Sequence, residues 1–212
     1  MEQFKDIIPA LAPDNASPSS LRHTPMIPNS SFFHAFFNLN HLAAEGTGWF
    51  FLPGMCFADT QAWWKDGPRQ SPHEGIDLLF FTDQSGQRRE LPQQALVPPL
   101  WDGEVVAVFE DFLGSTVAVR HPVMDGQGWR LVSLYAHVRP LVECGAQVSA
   151  RAPLAAVAFG KVRGSSAPPD HLHLSLGWLA PGWPVAGLEW PSLWGNPGIR
   201  LIEPISLIQP RH

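Results

Sequence analysis

Proline and glycine are unusually dense in this sequence, and their density restricts its fold more than any other feature. The 212 residues contain 22 prolines and 18 glycines. Because proline breaks helices and glycine weakens them, long helical bundles and coiled coils are poor candidates. Short apolar segments run between glycine, proline and aspartate residues, and this pattern predicts an antiparallel all-β domain from about residue 70 onward.

The apolar segments and one helical repeat locate the expected elements. Strands are predicted over residues 49–52, 76–81, 104–110, 115–121, 130–138, 154–158 and 171–176. Residues 82–99 are polar and contain proline, which predicts a long loop. One short helix is predicted over residues 31–44, where phenylalanines recur at helical spacing between a possible cap at Ser30 or Ser31 and Gly46.

The chain length favours one β-rich domain with an extension at each end. Residues 1–69 form the predicted N-terminal extension, which combines a proline-rich arm over residues 1–30 with the short helix. Residues 70–180 form the main domain, and residues 181–212 form a C-terminal extension that packs on it. The tryptophans near this end are Trp178, Trp183, Trp190 and Trp194. They either line a ligand groove or pack over the sheet.

The charge balance argues against nucleic acid as a partner. Fourteen basic and nineteen acidic residues give a net charge of −5, with no run of basic residues to match a phosphate backbone. The first residues lack the basic leader and the apolar stretch of a secretory signal. No segment approaches the roughly 20 apolar residues that span a bilayer. We therefore expect a soluble chain with no signal peptide and no transmembrane segment.

The two cysteines are Cys56 and Cys144, and they do not form a Cys-x-x-Cys pair. This spacing excludes both a cysteine zinc site and a disulfide framework. A single bridge between the two remains open.

Three histidine-bearing segments supply the candidate chemistry. In the first, His73 precedes Asp77 by four residues, and a buried strand follows. Residues four apart on a straight strand lie about 13 Å apart. The chain should therefore bend at Gly75 if both side chains are to meet one ion. Without that bend, the segment is an ordinary surface turn.

The second segment, residues 171–176, alternates strictly between polar and apolar side chains. His171, His173 and Ser175 share one face, and three leucines share the other face, which is expected to pack on the core. The alternative is the solvated outer face of an edge strand.

The third segment, residues 129–138, shows the same alternation. Ser133, Tyr135 and His137 are predicted to share one face, opposite apolar residues. A lone histidine in this position would usually be a solvated strand residue.

One sheet surface can gather the polar side chains of all three segments, since each segment has an apolar opposite face. The gathered set is His73, Asp77, His137, His171 and His173. Two histidines and one carboxylate make a three-ligand zinc set with an open fourth position, the arrangement of a catalytic site. The remaining histidines would transfer protons. Other histidines, such as His121, lack a motif and are assigned to structure.

Five motifs follow one another between about residues 70 and 180. They are Pro72-His73-Glu74-Gly75-Ile76-Asp77, Trp101-Asp102-Gly103-Glu104-Val105-Val106, Leu134-Tyr135-Ala136-His137, Cys144-Gly145-Ala146-Gln147-Val148, and Gly164-Ser165-Ser166 leading into His171-Leu172-His173. In this order they resemble the M23 family of zinc metallopeptidases, the LytM and lysostaphin type. The joint pattern is far more specific than any single motif.

The resemblance implies zinc held by His73, Asp77 and His173, with His137 and His171 as the catalytic histidines. It implies a compact antiparallel β-sheet domain of the LytM, or duplicated-hybrid-motif, type. The implied activity is cleavage of peptide bonds in peptidoglycan stem peptides or cross-bridges by metal-activated water. The implied location is the cell envelope or the exterior, although no signal peptide is visible in this chain.

Two other functions remain open from the sequence. A catalytically silent LytM-like domain would bind and regulate a cell-wall hydrolase, but silent relatives lose zinc ligands that this chain retains. A phosphocarrier with paired histidines on a related β-scaffold would leave Asp77 without a role. The zinc endopeptidase is therefore the favoured function.

Overall fold

The computed structural model describes residues 27–160, 167–183, 190 and 193–210, which form two short helices and twelve strands. The helices are α1 (Phe32–Leu39) and α2 (Ile205–Ile208). The strands are β1 (Gly46–Phe50), β2 (Ile76–Leu78), β3 (Phe80–Asp83), β4 (Arg88–Glu90), β5 (Leu96–Val97), β6 (Gly103–Glu110), β7 (Ser115–Met124), β8 (Arg130–Pro140), β9 (Gln147–Val148), β10 (Ala155–Val157), β11 (Leu172–Leu179) and β12 (Ile199–Ile202). Most of the predicted arm and the Gly164-Ser165-Ser166 motif lie outside the described residues.

The strands form two antiparallel sheets. In the main sheet the strand order is β12-β11-β8-β7-β6-β9, while β2 pairs with β11, and β10 joins β5 to β8. The smaller sheet has the order β1-β3-β4. These pairings confirm the predicted mainly β, antiparallel fold, and they are consistent with the domain type that the resemblance implies.

Helix α1 packs its phenylalanines into the largest core cluster of the described residues. Phe32, Phe36 and Phe37 are buried there with Trp49 of β1. The helix is shorter than predicted because Asn40 ends it, donating hydrogen bonds from its side-chain amide to the Phe36 and Leu96 carbonyls. Ser30 rather than Ser31 accepts a hydrogen bond from the first turn, through the Phe32 N–H.

Several strand boundaries differ from the sequence prediction. The strand predicted over residues 76–81 is two strands separated at Leu79, because β2 pairs with β11 whereas β3 pairs with β1. The loop predicted over residues 82–99 includes β4 and β5. The irregular C-terminal region contains β12 and the four-residue α2. Such short elements depend on distant partners and have little local signal.

Strand β8 is covered on both faces, and this corrects the prediction for its side chains. Tyr135 lies in the core cluster that contains Leu174, whereas Leu134 lies in a smaller cluster on the other face. His173 is the register partner of Ala136 and therefore shares the face of Leu134. Ser133 and Tyr135 share a face as predicted, and their hydroxyls are 2.8 Å apart. The prediction that His137 lies on the same face is wrong, for a reason that lies in the backbone at His137.

Neither helix among the described residues is long and apolar enough to cross a membrane. Cys56 is partly buried and Cys144 is exposed, and both are free thiols.

Candidate metal centre

The candidate metal centre includes the region where β2 pairs with β11. Asp77 and His173 are directly opposed in this antiparallel pair, which places both side chains on one face. Asp77 Oδ1 lies 2.9 Å from His173 Nδ1. The three leucines of the same β11 segment lie in the large core cluster, as the alternation predicts.

The chain bends at Glu74 and Gly75, just before β2, and the bend brings His73 back toward Asp77. His73 Nε2 lies 3.2 Å from Asp77 Oδ1 and 3.1 Å from His173 Nδ1. A Cβ atom at Gly75 would stand 2.3 Å from the Leu174 carbonyl oxygen and 2.8 Å from His173 Nε2. The bend predicted from the sequence therefore occurs, and it needs glycine because the strands leave no room for a side chain.

The triangle of donor atoms fits a tetrahedral zinc ion. His73, Asp77 and His173 are buried and form a group able to hold a metal ion. The separations of 2.9, 3.1 and 3.2 Å between their donor atoms approach the value of about 3.3 Å expected between ligands at zinc bond lengths near 2.0–2.1 Å. One face of a tetrahedron is thus present, and the fourth position is left for another ligand.

The outward ring nitrogens determine which atoms face the centre. His73 Nδ1 lies 3.0 Å from the Cys56 carbonyl oxygen, and His171 Nδ1 lies 2.7 Å from the Pro169 carbonyl oxygen. Because a carbonyl only accepts hydrogen bonds, both Nδ1 atoms carry a proton, and Nε2 of each ring faces the centre, with a free lone pair whenever the ring is neutral. His173 Nε2 contacts Ser175 Oγ at 2.9 Å, which leaves Nδ1 for the centre.

Asp77 is held by donors on its other oxygen. Asp77 Oδ2 accepts hydrogen bonds from Trp63 Nε1 at 2.7 Å and from Arg69 at 3.1 Å. Burial opposes ionisation of this carboxyl, but the neighbouring His171 and His73 outweigh it and hold the pKa of Asp77 well below its usual value. The residue is a fully buried carboxylate with one oxygen anchored and the other pointing at the histidines.

His171 and His137 complete the wall of the centre. His171 Nε2 lies 3.3 Å from Asp77 Oδ1, and the rings of His171 and His137 are 4.9 Å apart. Burial lowers the pKa of His137, with partial compensation by Asp111. Burial opposes protonation of His171 as well, but the charge of Asp77 outweighs it and raises the pKa of His171.

These residues border an open cleft of about 470 Å³. Asp77, His137, His171 and His173 line one part of it. The aromatic residues Trp64, Phe112 and Trp190 line the rest, with Arg69, Glu74 and Pro168 among the other lining residues. The cleft therefore presents a polar centre between apolar walls, a composition typical of ligand-binding clefts.

A β-bulge places His137 in this cleft. The register between β7 and β8 shifts so that Thr116 faces both Ala136 and His137, and His137 has a left-handed φ of 62°. A left-handed conformation at a non-glycine residue costs about 1–3 kcal/mol and persists only where contacts enforce it. Bulges redirect side chains, and this one turns His137 away from the face of Tyr135.

The structure brings all five predicted site residues around one centre, and it adds partners that the sequence analysis missed. Trp63 and Arg69 come from the N-terminal extension, and Asp111 comes from the turn between β6 and β7. The Asp-x-x-Gly pattern over residues 111–114 indicates a turn. No local signal indicates that this carboxylate contacts a histidine 26 residues away.

The C-terminal tryptophans follow both of the alternatives left open by the sequence. Trp178 packs against the large core cluster, and Trp183 packs against the smaller one. Trp190 also packs on the smaller cluster but lines the cleft, where its ring stands 4.8 Å from the His173 ring. Trp194 is partly exposed and contacts Phe57.

No protein-family model matches this chain, and no curated protein sequence matches it. Among solved structures it is similar to LytU, with 19% identity, a TM-score of 0.42, and coverage of 73% of this chain and 85% of the LytU chain. It is also similar to lysostaphin, described as an antimicrobial peptidase from Staphylococcus simulans, with 13% identity, a TM-score of 0.40, and coverage of 85% of this chain and 52% of that one. A solution structure of lysostaphin shows 16% identity, a TM-score of 0.35, and coverage of 69% and 47%. The chain thus spans about half of each lysostaphin chain.

Proposed function

We propose that this chain is a zinc-dependent endopeptidase that cleaves peptide bonds in peptidoglycan stem peptides or cross-bridges. The observation that carries the proposal is the convergence of His73 Nε2, His173 Nδ1 and Asp77 Oδ1 within 3.2 Å of one another. When all three groups are unprotonated, these atoms repel one another unless a cation lies between them. The order of sequence motifs supports the peptidase chemistry and the choice of substrate.

Zinc would be held by His73, Asp77 and His173, with its open side toward the cleft. When bound, it supplies a Lewis acid that polarises a carbonyl group and lowers the pKa of water. Trp63 and Arg69 orient the Asp77 carboxylate through its second oxygen, and Ser175 orients the His173 ring. Such outer contacts fix ligand geometry and increase metal affinity.

His137 and His171 move protons and stabilise charge beside the ligand set. His137 Nε2 accepts a proton from the attacking water, whose oxygen forms the new bond to the carbonyl carbon. His171 carries a proton on both ring nitrogens in its charged form, and in that form its Nε2–H donates a hydrogen bond to the carbonyl oxygen as negative charge develops there. The C–N bond then breaks, and the amine leaves with both protons of the water, which gives a carboxylate and an ammonium group.

The cleft favours an unbranched peptide at the point of cleavage. The scissile carbonyl would lie against the rings of His137 and His171, whose centroids are 4.9 Å apart and which therefore contact each other. Glycine- or alanine-like residues allow the closest approach of a backbone to such a centre. Aromatic walls at Trp64 and Phe112 can hold the flanking residues of the peptide.

The test is incubation of the zinc-loaded chain with purified muropeptides and glycine-rich peptides, with products identified by mass spectrometry. We expect new amine and carboxyl termini at one type of bond, no products after chelation, and recovery on return of zinc. The His137→Ala variant serves as the zinc-retaining control. Cleavage of neither substrate, with zinc confirmed in place, would reject the peptidase and favour the silent regulatory domain.

A further inference from the structure

The side chain of Asp111 is almost fully buried and accepts hydrogen bonds on both of its oxygens. Oδ1 lies 3.0 Å from His137 Nδ1, and it also accepts the backbone N–H groups of Leu113 at 2.9 Å and Gly114 at 2.8 Å. Oδ2 accepts the backbone N–H of His137 at 3.0 Å and the hydroxyl of Thr116 at 2.9 Å. One carboxylate therefore bridges a turn, a neighbouring strand and a histidine in the cleft.

Two of these contacts bear directly on His137. The bulge removes the His137 N–H from the regular β-ladder, and Asp111 Oδ2 supplies its acceptor. A carboxylate has no hydrogen to donate, so the ring nitrogen facing Oδ1 must carry the proton. The same side chain thus supports the left-handed backbone and fixes the ring with Nδ1 protonated and the Nε2 lone pair left for the cleft.

Asp111 is itself held by a further contact that reaches the metal centre. Trp190 Nε1 donates a hydrogen bond of 2.9 Å to Thr116 Oγ1, and the Thr116 hydroxyl donates to Asp111 Oδ2. The Trp190 ring also stands 4.8 Å from the ring of His173. The carboxylate, the bulge and the ligand-bearing strand are therefore joined through one set of contacts.

We infer that Asp111 is a positioning residue that fixes the His137 ring as its Nδ1-protonated tautomer and presents Nε2 to the substrate cleft. The kinetic part of this inference rests on the proposed peptidase function, whereas the tautomer does not. Asp111 borders the cleft, and its proposed effect on turnover is transmitted through the His137 ring.

The first experiment reads the tautomer directly. Long-range ¹H–¹⁵N spectra of the full chain at pH 8, where an unperturbed histidine is neutral, show which ring nitrogen of His137 carries the proton. The signals are assigned by their loss in His137→Gln. We expect Nδ1–H in the wild type and a shift of the proton toward Nε2 in Asp111→Ala. An unchanged Nδ1–H tautomer in Asp111→Ala overturns the inference.

The Asp111→Asn variant tests whether the hydrogen-bond acceptor at Oδ1 or the negative charge of the carboxylate determines the His137 tautomer. With its amide oxygen on the Oδ1 side, asparagine keeps the acceptor for Leu113, Gly114 and the His137 ring, so it should restore the Nδ1–H tautomer that Asp111→Ala loses. Asp125→Ala is the matched control, because Asp125 accepts N–H bonds from Gln127 and Trp129 in the next hairpin turn and contacts no histidine among the described residues. It should leave the His137 signals unchanged, and a shift there would attribute the effect to general loosening of the hairpins and reject the inference.

The second experiment measures turnover. We expect Asp111→Ala to keep its zinc and to lose kcat by about 10²- to 10⁴-fold, the contribution of general acid–base catalysis, with little change in KM. In a His137→Ala background the same change should cost less than about twofold, since residues that act as one unit are not additive. Additive losses would reject action through His137. If no peptide is cleaved but the proton moves in the spectra, the proposed function fails and the role of Asp111 in fixing the ring stands.

Discussion

Two buried histidine networks occupy opposite faces of β8. They differ in whether each hydrogen-bond acceptor is matched by a donor. On the face of Tyr135, His121 Nε2 contacts Ser133 Oγ at 2.7 Å, and the Ser133 and Tyr135 hydroxyls share a bond of 2.8 Å. The Leu100 N–H donates to the Tyr135 hydroxyl, and His121 Nδ1 contacts the Asp102 carbonyl oxygen. We refer to these residues as the serine–tyrosine network. Its donors and acceptors are matched in pairs.

The candidate metal centre on the opposite face has a different arrangement. His73, His171 and His173 use their outer nitrogens for ordinary hydrogen bonds. Their inner nitrogens all approach Asp77 Oδ1. With Nδ1 protonated, the neutral rings of His73 and His171 both direct an Nε2 lone pair toward this carboxylate oxygen, and a buried site of this kind needs added positive charge, either a further proton or a cation. Burial of histidine is therefore common to both networks. The candidate ligand site differs from the structural network because, when its rings are neutral, ring lone pairs and a carboxylate oxygen face one another.

Loss of a metal ligand should have the largest effect on zinc content. It tests directly whether the two networks differ in metal binding. We expect about one zinc ion per purified chain and loss of most of it in His173→Ala. His121→Asn, in the serine–tyrosine network, should retain zinc although it removes an equally buried histidine. Elemental analysis after zinc loading and dialysis gives the result. Equal zinc contents in the two variants would remove the distinction between the networks.

Replacement of the two neighbouring histidines should separate metal binding from turnover. His171→Ala and His137→Ala should keep zinc and lose turnover by about 10²- to 10⁴-fold, since each would remove a proton-transfer or charge-stabilising group. Zinc content and kcat are measured on the same preparations. If His171→Ala releases the metal while His173→Ala retains it, the roles of these two residues are reversed.

The contact between Trp63 and Asp77 offers a finer test of the metal centre. Trp63→Phe removes the N–H donor to Asp77 Oδ2 but keeps an aromatic ring, so zinc affinity should fall by about 10- to 100-fold. Trp129→Phe is the control, because Trp129 stacks on Arg200 away from the cleft. Competition with a chromophoric chelator measures both affinities. An unchanged affinity in Trp63→Phe would mean that Arg69 alone suffices to orient the carboxylate.

The sequence predicts those parts of the molecule that depend on local pattern. Alternating leucines place His173 and Ser175 on one face, and the glycine after Glu74 predicts the bend that returns His73 to Asp77. The same alternation fails at His137, because a one-residue bulge moves its side chain to the opposite face of β8. The bulged position is a histidine and not a glycine, so the sequence contains no local signal for the bulge. The contacts of Trp63 and Asp111 depend on tertiary packing between segments far apart in the chain. Periodicity along the sequence does not predict such long-range contacts.

The smallest expected effect concerns the serine–tyrosine network and its response to pH. Burial lowers the pKa of His121 to about 4, whereas an unfolded histidine titrates near 6.5. Between these values the unfolded chain binds a proton that folded His121 does not, so this residue's contribution to the free energy of unfolding is complete above pH 6.5 and decreases as the pH falls toward 4. Proton linkage at His121 gives a loss of about 2 kcal/mol in the free energy of unfolding at pH 5.

Urea unfolding of zinc-loaded wild type and His121→Asn at pH 7 and pH 5 isolates the effect, since asparagine does not titrate and the other histidines are common to both chains. We expect the wild type to lose about 2 kcal/mol more than the variant. Equal losses would mean that folded His121 binds its proton as readily as unfolded His121 does. The matched hydrogen bonds of the serine–tyrosine network would then not distinguish that network from the candidate metal centre.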